Sequence, residues 1–290
     1  MYSVRYEKDS IYSSIVCLPG DDGPEVGIHR FGRTNHPFLC LDDEPYSTGV
    51  RGNNKNQNKM KKILYTLLAV LTLTACNRKA EQACEPIYDR SDFVEVTEVI
   101  PDVILEIRYY STYNFVGARI DGYERPLALM THQAADSLKA VNDELTAHGY
   151  RLKIWDTYRP QRAVNHFIRW AEDVQDTAMK AVFYPMVDKS LLFEQGYIYA
   201  RSSHSRGSTV DLTLLDAATG KELDMGSPFD WFGDESHPDY RCPLYRQSEN
   251  RLILRNAMER HGFEGIDSEW WHFTLANEPY PDTYFDFPIE

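Results

Sequence analysis

Ser202-Ser203-His204-Ser205-Arg206-Gly207-Ser208-Thr209-Val210-Asp211 is the segment around which the domain is organised. It sets a histidine and a carboxylate seven positions apart, across a turn of small residues that contains a glycine. It then runs into a strand. Val210, Leu212 and Leu214 alternate with Asp211 and Thr213, the period-two signature of a pleated strand with one apolar face. On that pattern Asp211 faces away from the apolar row, and His204 sits in the turn just before it. Both side chains can therefore point at one spot.

Working upstream, Leu152 and Ile154 alternate with Arg151 and Lys153 in a second short strand, which ends in Trp155-Asp156-Thr157-Tyr158-Arg159-Pro160. Pro160 opens a helix carrying Ala163, Val164, Phe167, Ile168 and Ala171, since proline is pre-organised for a first helical turn. Thr131 to His148 is a helix by the spacing of Ala134, Ala135, Leu138, Val141 and Leu145, and Gly149 ends it. Phe93–Val96 and Val103–Ile107 read as strands. Downstream, Asn250 to His261 reads as a helix with Leu252, Ile253, Ala257 and Met258 apolar, closed by Gly262. No repeats occur. Helices and strands alternate irregularly, which predicts an α+β fold: a single compact domain over residues 92–290, with a central, mostly antiparallel sheet flanked by helices.

Residues 1–59 read differently. Their apolar residues fall in short scattered runs, and Gly52-Asn53-Asn54-Lys55-Asn56-Gln57-Asn58 is a polar low-complexity run. Met60-Lys61-Lys62, the apolar run Ile63 to Thr74 and then Ala75-Cys76 make a basic start, a short apolar region and a small-residue cut site, the grammar of a secretory signal. The apolar run falls short of the ~20 residues that a membrane span requires. Leu73-Thr74-Ala75-Cys76 resembles a bacterial lipobox, in which the cysteine is lipidated and becomes the mature N-terminus. This predicts a non-native extension over 1–59, a lipoprotein signal over 60–76, lipidation at Cys76, a tether over 77–91 and membrane attachment through the lipid. An exported compartment permits a disulfide between Cys84 and Cys242. No CxxC pair exists, so a cysteine-based zinc site is not expected. A net charge of −13 excludes binding of nucleic acid through its phosphates.

A second cluster, Glu269-Trp270-Trp271-His272, supplies the rest of the chemistry. His204 and His272 offer imidazoles and Asp211 a carboxylate. Three such ligands with a fourth position open to water are the donor set of a catalytic zinc site. Residue types alone leave open whether these three hold a metal or are simply satisfied polar groups. Glu269 lies three positions before His272, and a regular strand would send the two to opposite faces. A turn is needed to bring Glu269 into the same cavity, where it could take a proton from water and pass it to a leaving amine. Arg159 ends a strand beside Pro160, where a guanidinium could stabilise an oxyanion or merely pair with a surface acid. His132, His148, His166, His237 and His261 show no such spacing and are expected at helix surfaces, caps and loops.

These motifs resemble, in order, those of the D-alanyl-D-alanine dipeptidases in the zinc D,D-peptidase family. Ser202 to Ser208 with Asp211-Leu212-Thr213-Leu214 is similar to that family's first metal motif. Trp155 to Pro160 is similar to its arginine motif, and Glu269 to His272 to its second metal and base motif. Asp121-Gly122-Tyr123, Met225-Gly226-Ser227 with Phe229-Asp230, and the tail Glu278-Pro279-Tyr280-Pro281 with Tyr284 to Pro288 add to the likeness, which spans about 200 residues. The resemblance implies one Zn2+ held by His204, Asp211 and His272, Glu269 as acid/base and Arg159 stabilising the transition state. It also implies substrate contacts from Tyr109, Ser202 and Asp230, and hydrolysis of the D-Ala-D-Ala dipeptide. Two other readings are a D,D-carboxypeptidase acting on longer peptidoglycan stems and a non-catalytic, zinc-stabilised wall-binding lipoprotein. The export signal moves the expected work from the cytoplasm to the cell envelope.

Overall fold

A computed structural model describes residues 89–241 and 244–290. Cys76, Cys84 and Cys242 lie outside the described residues, as do the segments expected to be extension and signal. In chain order the elements are β1 (Phe93–Glu95), α1 (Val96–Val99), β2 (Ile104–Leu105), β3 (Leu129–Thr131), α2 (His132–Ala147), β4 (Tyr150–Asp156), α3 (Gln161–Glu172), α4 (Lys180–Phe183), β5 (Thr209–Asp216), α5 (Tyr245–Arg260), β6 (Phe263–Gly265) and β7 (His272–Leu275). Five strands form the main sheet in the order β2-β4-β5-β7-β6, and β1 pairs with β3 in a separate ribbon. Only the β2–β4 pairing in the main sheet is parallel. The α+β architecture with a mostly antiparallel sheet is therefore as expected.

The register explains how the sheet serves two purposes. Leu152 and Ile154 on β4 lie opposite Leu214 and Leu212 on β5, and Val210 lies opposite Phe273 on β7. Opposed residues share a face, so these side chains make one buried apolar surface. Asp211, between Val210 and Leu212, must face the other way and lies opposite His272. On β4 the alternation would return Asp156 to the apolar face with Ile154. Instead the register shifts between Ile154 and Asp156, and Asp156 lies opposite Asp211. A β-bulge of this kind adds one residue to a strand and re-aims the next side chain. Asp156, Asp211 and His272 consequently form one row across the three central strands.

The helices follow their apolar stripes. Thr131 caps α2, its side chain accepting a hydrogen bond from Ala134 N, and Ala134, Ala135, Leu138, Val141 and Leu145 are buried. α2 packs against β4 and α5, and α5 against β6. α5 begins at Tyr245, earlier than the sequence pattern indicates, because its inward face is partly polar. Gln247, Asn250 and Arg251 are buried, and Arg251 alone donates to the carbonyls of Met225, Glu235 and His237. Leu252, expected inside, is 54% exposed. The expected strands at 93–96 and 103–107 shorten to three and two residues, with Val96 turning into α1.

The chain end closes the fold over the site loop. Phe285 and Phe287 pack edge-on against Phe93, and Phe287 stacks on Tyr158. Phe285 N donates to Ser205 O, inside the 3-10 turn Ser203–Arg206. Gly207 ends that turn at φ 83°, and a Cβ there would meet the Phe93 ring at 2.3 Å. Backbone conformation and space both require glycine. The Gly207→Ala variant is expected to lose more than about 1 kcal/mol of stability, read as a lower urea midpoint with unchanged slope; an unshifted midpoint would contradict this packing.

Candidate metal centre

His204 reaches the sheet row from the 3-10 turn that precedes β5. Its Nε2 lies 3.1 Å from Asp211 Oδ2 and 3.2 Å from His272 Nδ1. His272 Nδ1 lies 3.1 Å from Asp211 Oδ1. The three groups thus close a triangle in which each imidazole faces a different oxygen of Asp211, and one ligand atom from each residue lies within 4.8 Å of the others. Bonds of about 2.0–2.1 Å in a tetrahedron place ligand atoms roughly 3.3 Å apart. The donor chemistry and spacing fit a single metal ion held from one side.

The outer contacts orient these ligands. His204 Nδ1 lies 2.6 Å from Thr157 O, which can only accept, so the ring proton sits there and the Nε2 lone pair faces the triangle. His272 Nε2 contacts Ser203 Oγ at 3.1 Å, which leaves Nδ1 for the metal side. Asp156 accepts from Tyr123 Oη at 2.7 Å and from Arg159 Nε at 2.9 Å, and stands 3.6 Å from His204 Nδ1. Arg159 Nη2 also reaches Asp211 Oδ2 at 3.5 Å, and its guanidinium lies 4.9 Å from the Tyr109 ring centre. Arg159 is therefore a site cation and not a surface partner.

Glu269 precedes β7, and the turn at Trp270-Trp271 separates it from His272. That turn supplies the change of direction a strand could not. Glu269 Oε2 comes within 3.6 Å of His272 Nδ1, and its side chain keeps 39% exposure at the cavity mouth. Asp230 accepts from Tyr109 Oη through both oxygens at 3.1 Å. It is the non-glycine residue with positive φ (59°) among the described residues, a conformation that aspartate tolerates better than most and that recurs at binding sites. Ser202 caps the 3-10 turn by accepting from His204 N.

All eight side chains singled out in the domain sequence line one cavity of about 250 Å³. A larger hollow of about 450 Å³ shares Glu269 with it but holds none of the three ligand residues. Ser203, Thr157 O and the Tyr123–Asp156 pair escape sequence reasoning. Ser203 and Asp156 lie inside the quoted motifs, but no spacing rule marks an outer contact.

Burial sets the electrostatics. It opposes ionisation of Asp211, yet His204 and His272 outweigh it and hold that carboxyl well below the usual range. Burial lowers His204. For His272 burial is outweighed by Asp211 and Glu269, so its proton is held more tightly than usual. Burial and the nearby Asp211 raise both Asp230 and Glu269.

A water-accessible cavity with three metal-type ligands, a carboxylate beside them and a fixed guanidinium is the equipment of a metallopeptidase. Residues 89–290 match the peptidase M15 model, described as D-ala-D-ala dipeptidase, and the chain belongs to that family. It is 40% identical over 198 residues to the D-alanyl-D-alanine dipeptidase of Enterococcus faecium, covering 68% of this chain and 98% of that one. The Streptomyces coelicolor D-alanyl-D-alanine dipeptidase is 41% identical with the same coverage. That of Escherichia coli is 33% identical, over 64% of this chain and 86% of its own. Residues 60–77 match a prokaryotic membrane lipoprotein lipid attachment site, which points to a membrane-anchored protein of the cell envelope.

Metal affinity should fall as pH drops, starting above the ordinary histidine titration near 6.5, because His272 holds its proton at higher pH than a free imidazole and the metal must displace it. Calorimetry of metal binding in buffers of different ionisation enthalpy should show proton release, and Asp156→Asn should weaken binding roughly 10–100-fold. Affinity flat between pH 5 and 8 would contradict the assignment of His272 as a ligand.

Proposed function

We propose that this protein is a zinc-dependent dipeptidase that cleaves D-Ala-D-Ala to two D-alanines in peptidoglycan metabolism. The observation that carries the reading is the ligand triangle with Glu269 and Arg159 on its open side, supported by the 98% coverage of a D-alanyl-D-alanine dipeptidase. His204, Asp211 and His272 would hold the zinc. Such an ion acts as a Lewis acid toward a scissile carbonyl and lowers the pKa of a water ligand.

The chain's own groups then divide the work. Glu269, at the cavity mouth beside His272, accepts the proton of the attacking water and delivers it to the leaving amine. Its raised affinity for protons brings it closer to the amine it must protonate. Arg159 stays charged, because the carboxylates of Asp156 and Asp211 lie against it and outweigh the burial that opposes its charge. Its guanidinium needs no reorganisation to stabilise developing negative charge on the carbonyl oxygen. Asp230, whose carboxylate is disfavoured by burial and by Asp211, gains most from a nearby cation. The substrate's α-ammonium fits that requirement, with Tyr109 orienting the carboxylate and Ser202 lining the same cavity. A need for the free amine separates a dipeptidase from an enzyme of longer stem peptides.

Cys76 would carry the lipid after removal of residues 60–75, and the domain would face the periplasm on the 77–91 tether. Residues 1–59 would not belong to the mature chain. Turnover of wall fragments or dipeptide scavenging suits that location. Mass spectrometry of the native protein tests it, with an unlipidated chain retaining residues 1–59 as the contrary result.

With zinc, the protein should release D-alanine from D-Ala-D-Ala. Glu269→Ala should lose roughly 10²–10⁴-fold in kcat while still binding zinc; full activity would reject Glu269 as the base. N-acetyl-D-Ala-D-Ala should be a poor substrate through KM, and equal use of both compounds would favour a D,D-carboxypeptidase.

A further inference from the structure

Among the charges lining the cavity, one cation is left over by the pairings described above. Three carboxylates face it: Asp211, Asp230 and Glu269. Asp211 is met by the two imidazoles and by Arg159. Arg159 itself is taken up by Asp156 and Asp211. The other lining arginine, Arg201, has no carboxylate partner among the described residues. Its guanidinium lies 4.6 Å from the ring centre of Tyr284, while Arg206, on the same ring, is occupied by Glu278. The backbone beneath Arg201 is fixed, since Gln161 Nε2 donates to Ala200 O at 2.9 Å and Ser202 caps the next turn. Arg201 is thus a positioned, solvent-facing cation on an aromatic shelf at the wall of an otherwise acidic cavity.

A zwitterionic dipeptide brings one ammonium and one carboxylate. Asp230 suits the ammonium. A free carboxylate entering among three acids would be repelled unless a cation met it, and a guanidinium meets a carboxylate with two parallel hydrogen bonds. We propose that Arg201 binds the substrate's terminal α-carboxylate and is a specificity-determining residue for dipeptides ending in a free acid. This rests on the proposed dipeptidase function. Arg201 does not touch the reacting atoms, so its effect falls on binding.

The test compares D-Ala-D-Ala with its C-terminal amide in the zinc enzyme and in Arg201→Gln. KM for the dipeptide should rise roughly 10–100-fold with kcat nearly unchanged. The amide should be weak for the unsubstituted enzyme and no weaker for the variant, and Arg201→Lys should restore part of the dipeptide's affinity. An equal loss on both compounds, or no change in KM, would overturn the proposal. Calorimetric binding of both compounds to zinc-loaded Glu269→Ala, with and without Arg201→Gln, decides the same question without turnover. If the unsubstituted enzyme leaves D-Ala-D-Ala uncleaved, the dipeptidase reading falls, while the binding comparison still judges Arg201.

Discussion

The site depends on one transverse row of the sheet: Asp156, Asp211 and His272, side by side on β4, β5 and β7. Such a row is costly. Asp156, Asp211 and His204 are at most 2% exposed, and isolated charges at that depth would be strongly destabilising. The row survives because each member meets a complement. Arg159 lies against both carboxylates, Tyr123 donates to Asp156, and the imidazoles face Asp211. A divalent ion in the triangle would add the missing positive charge. The opposite face of the same strands carries the buried Leu152, Ile154, Val210, Leu212, Leu214 and Phe273, so alternation together with the β4 bulge keeps the sheet's stability and its chemistry apart.

Precision comes from outside the triangle. Thr157 O and Ser203 Oγ set the ring orientation of the two histidines. Backbone contacts tie the loops that carry them: Arg159 N donates to His204 O, and Thr131 N to Gly207 O. Thr131 Oγ1 and Ser208 Oγ, 2.8 Å apart, add a side-chain tie. By contrast, Glu269 sits before its strand at the cavity mouth, where the proposed base would meet both water and leaving group. Rigid ligands and a more accessible base are what hydrolysis at a fixed metal requires.

Much of this was legible in the sequence because period-two alternation is a local signal. Val210, Leu212 and Leu214 announce which way Asp211 points, and the three-residue spacing of Glu269 and His272 demands the turn found at Trp270-Trp271. The bulge at β4 was not legible. Alternation from Leu152 and Ile154 puts Asp156 on the apolar face, and only pairing with β5 reveals the shift. The start of α5 was missed for a related reason. Its buried face uses Gln247, Asn250 and Arg251, satisfied by Asp224 and by distant backbone carbonyls. Periodicity scores apolar residues and is blind to burial secured by long-range hydrogen bonds. Spacing does not mark Arg201, because its lack of a carboxylate partner among the described residues is a property of space and not of sequence.

The C-terminal tail has a temporal consequence. Phe285 N holds Ser205 O, Tyr158 Oη donates to Phe287 O, and Asp286 receives Arg162 at the start of α3. The turn bearing His204 is therefore pinned by residues that lie far downstream of it in the chain. While the chain is being made, the ligand loop lacks its clamp, and His272 itself arrives late. A nascent chain in that condition has no finished cradle for a cation. Cation capture in such a chain would wait for completion of the whole domain, with no separate inhibitor needed to enforce the delay.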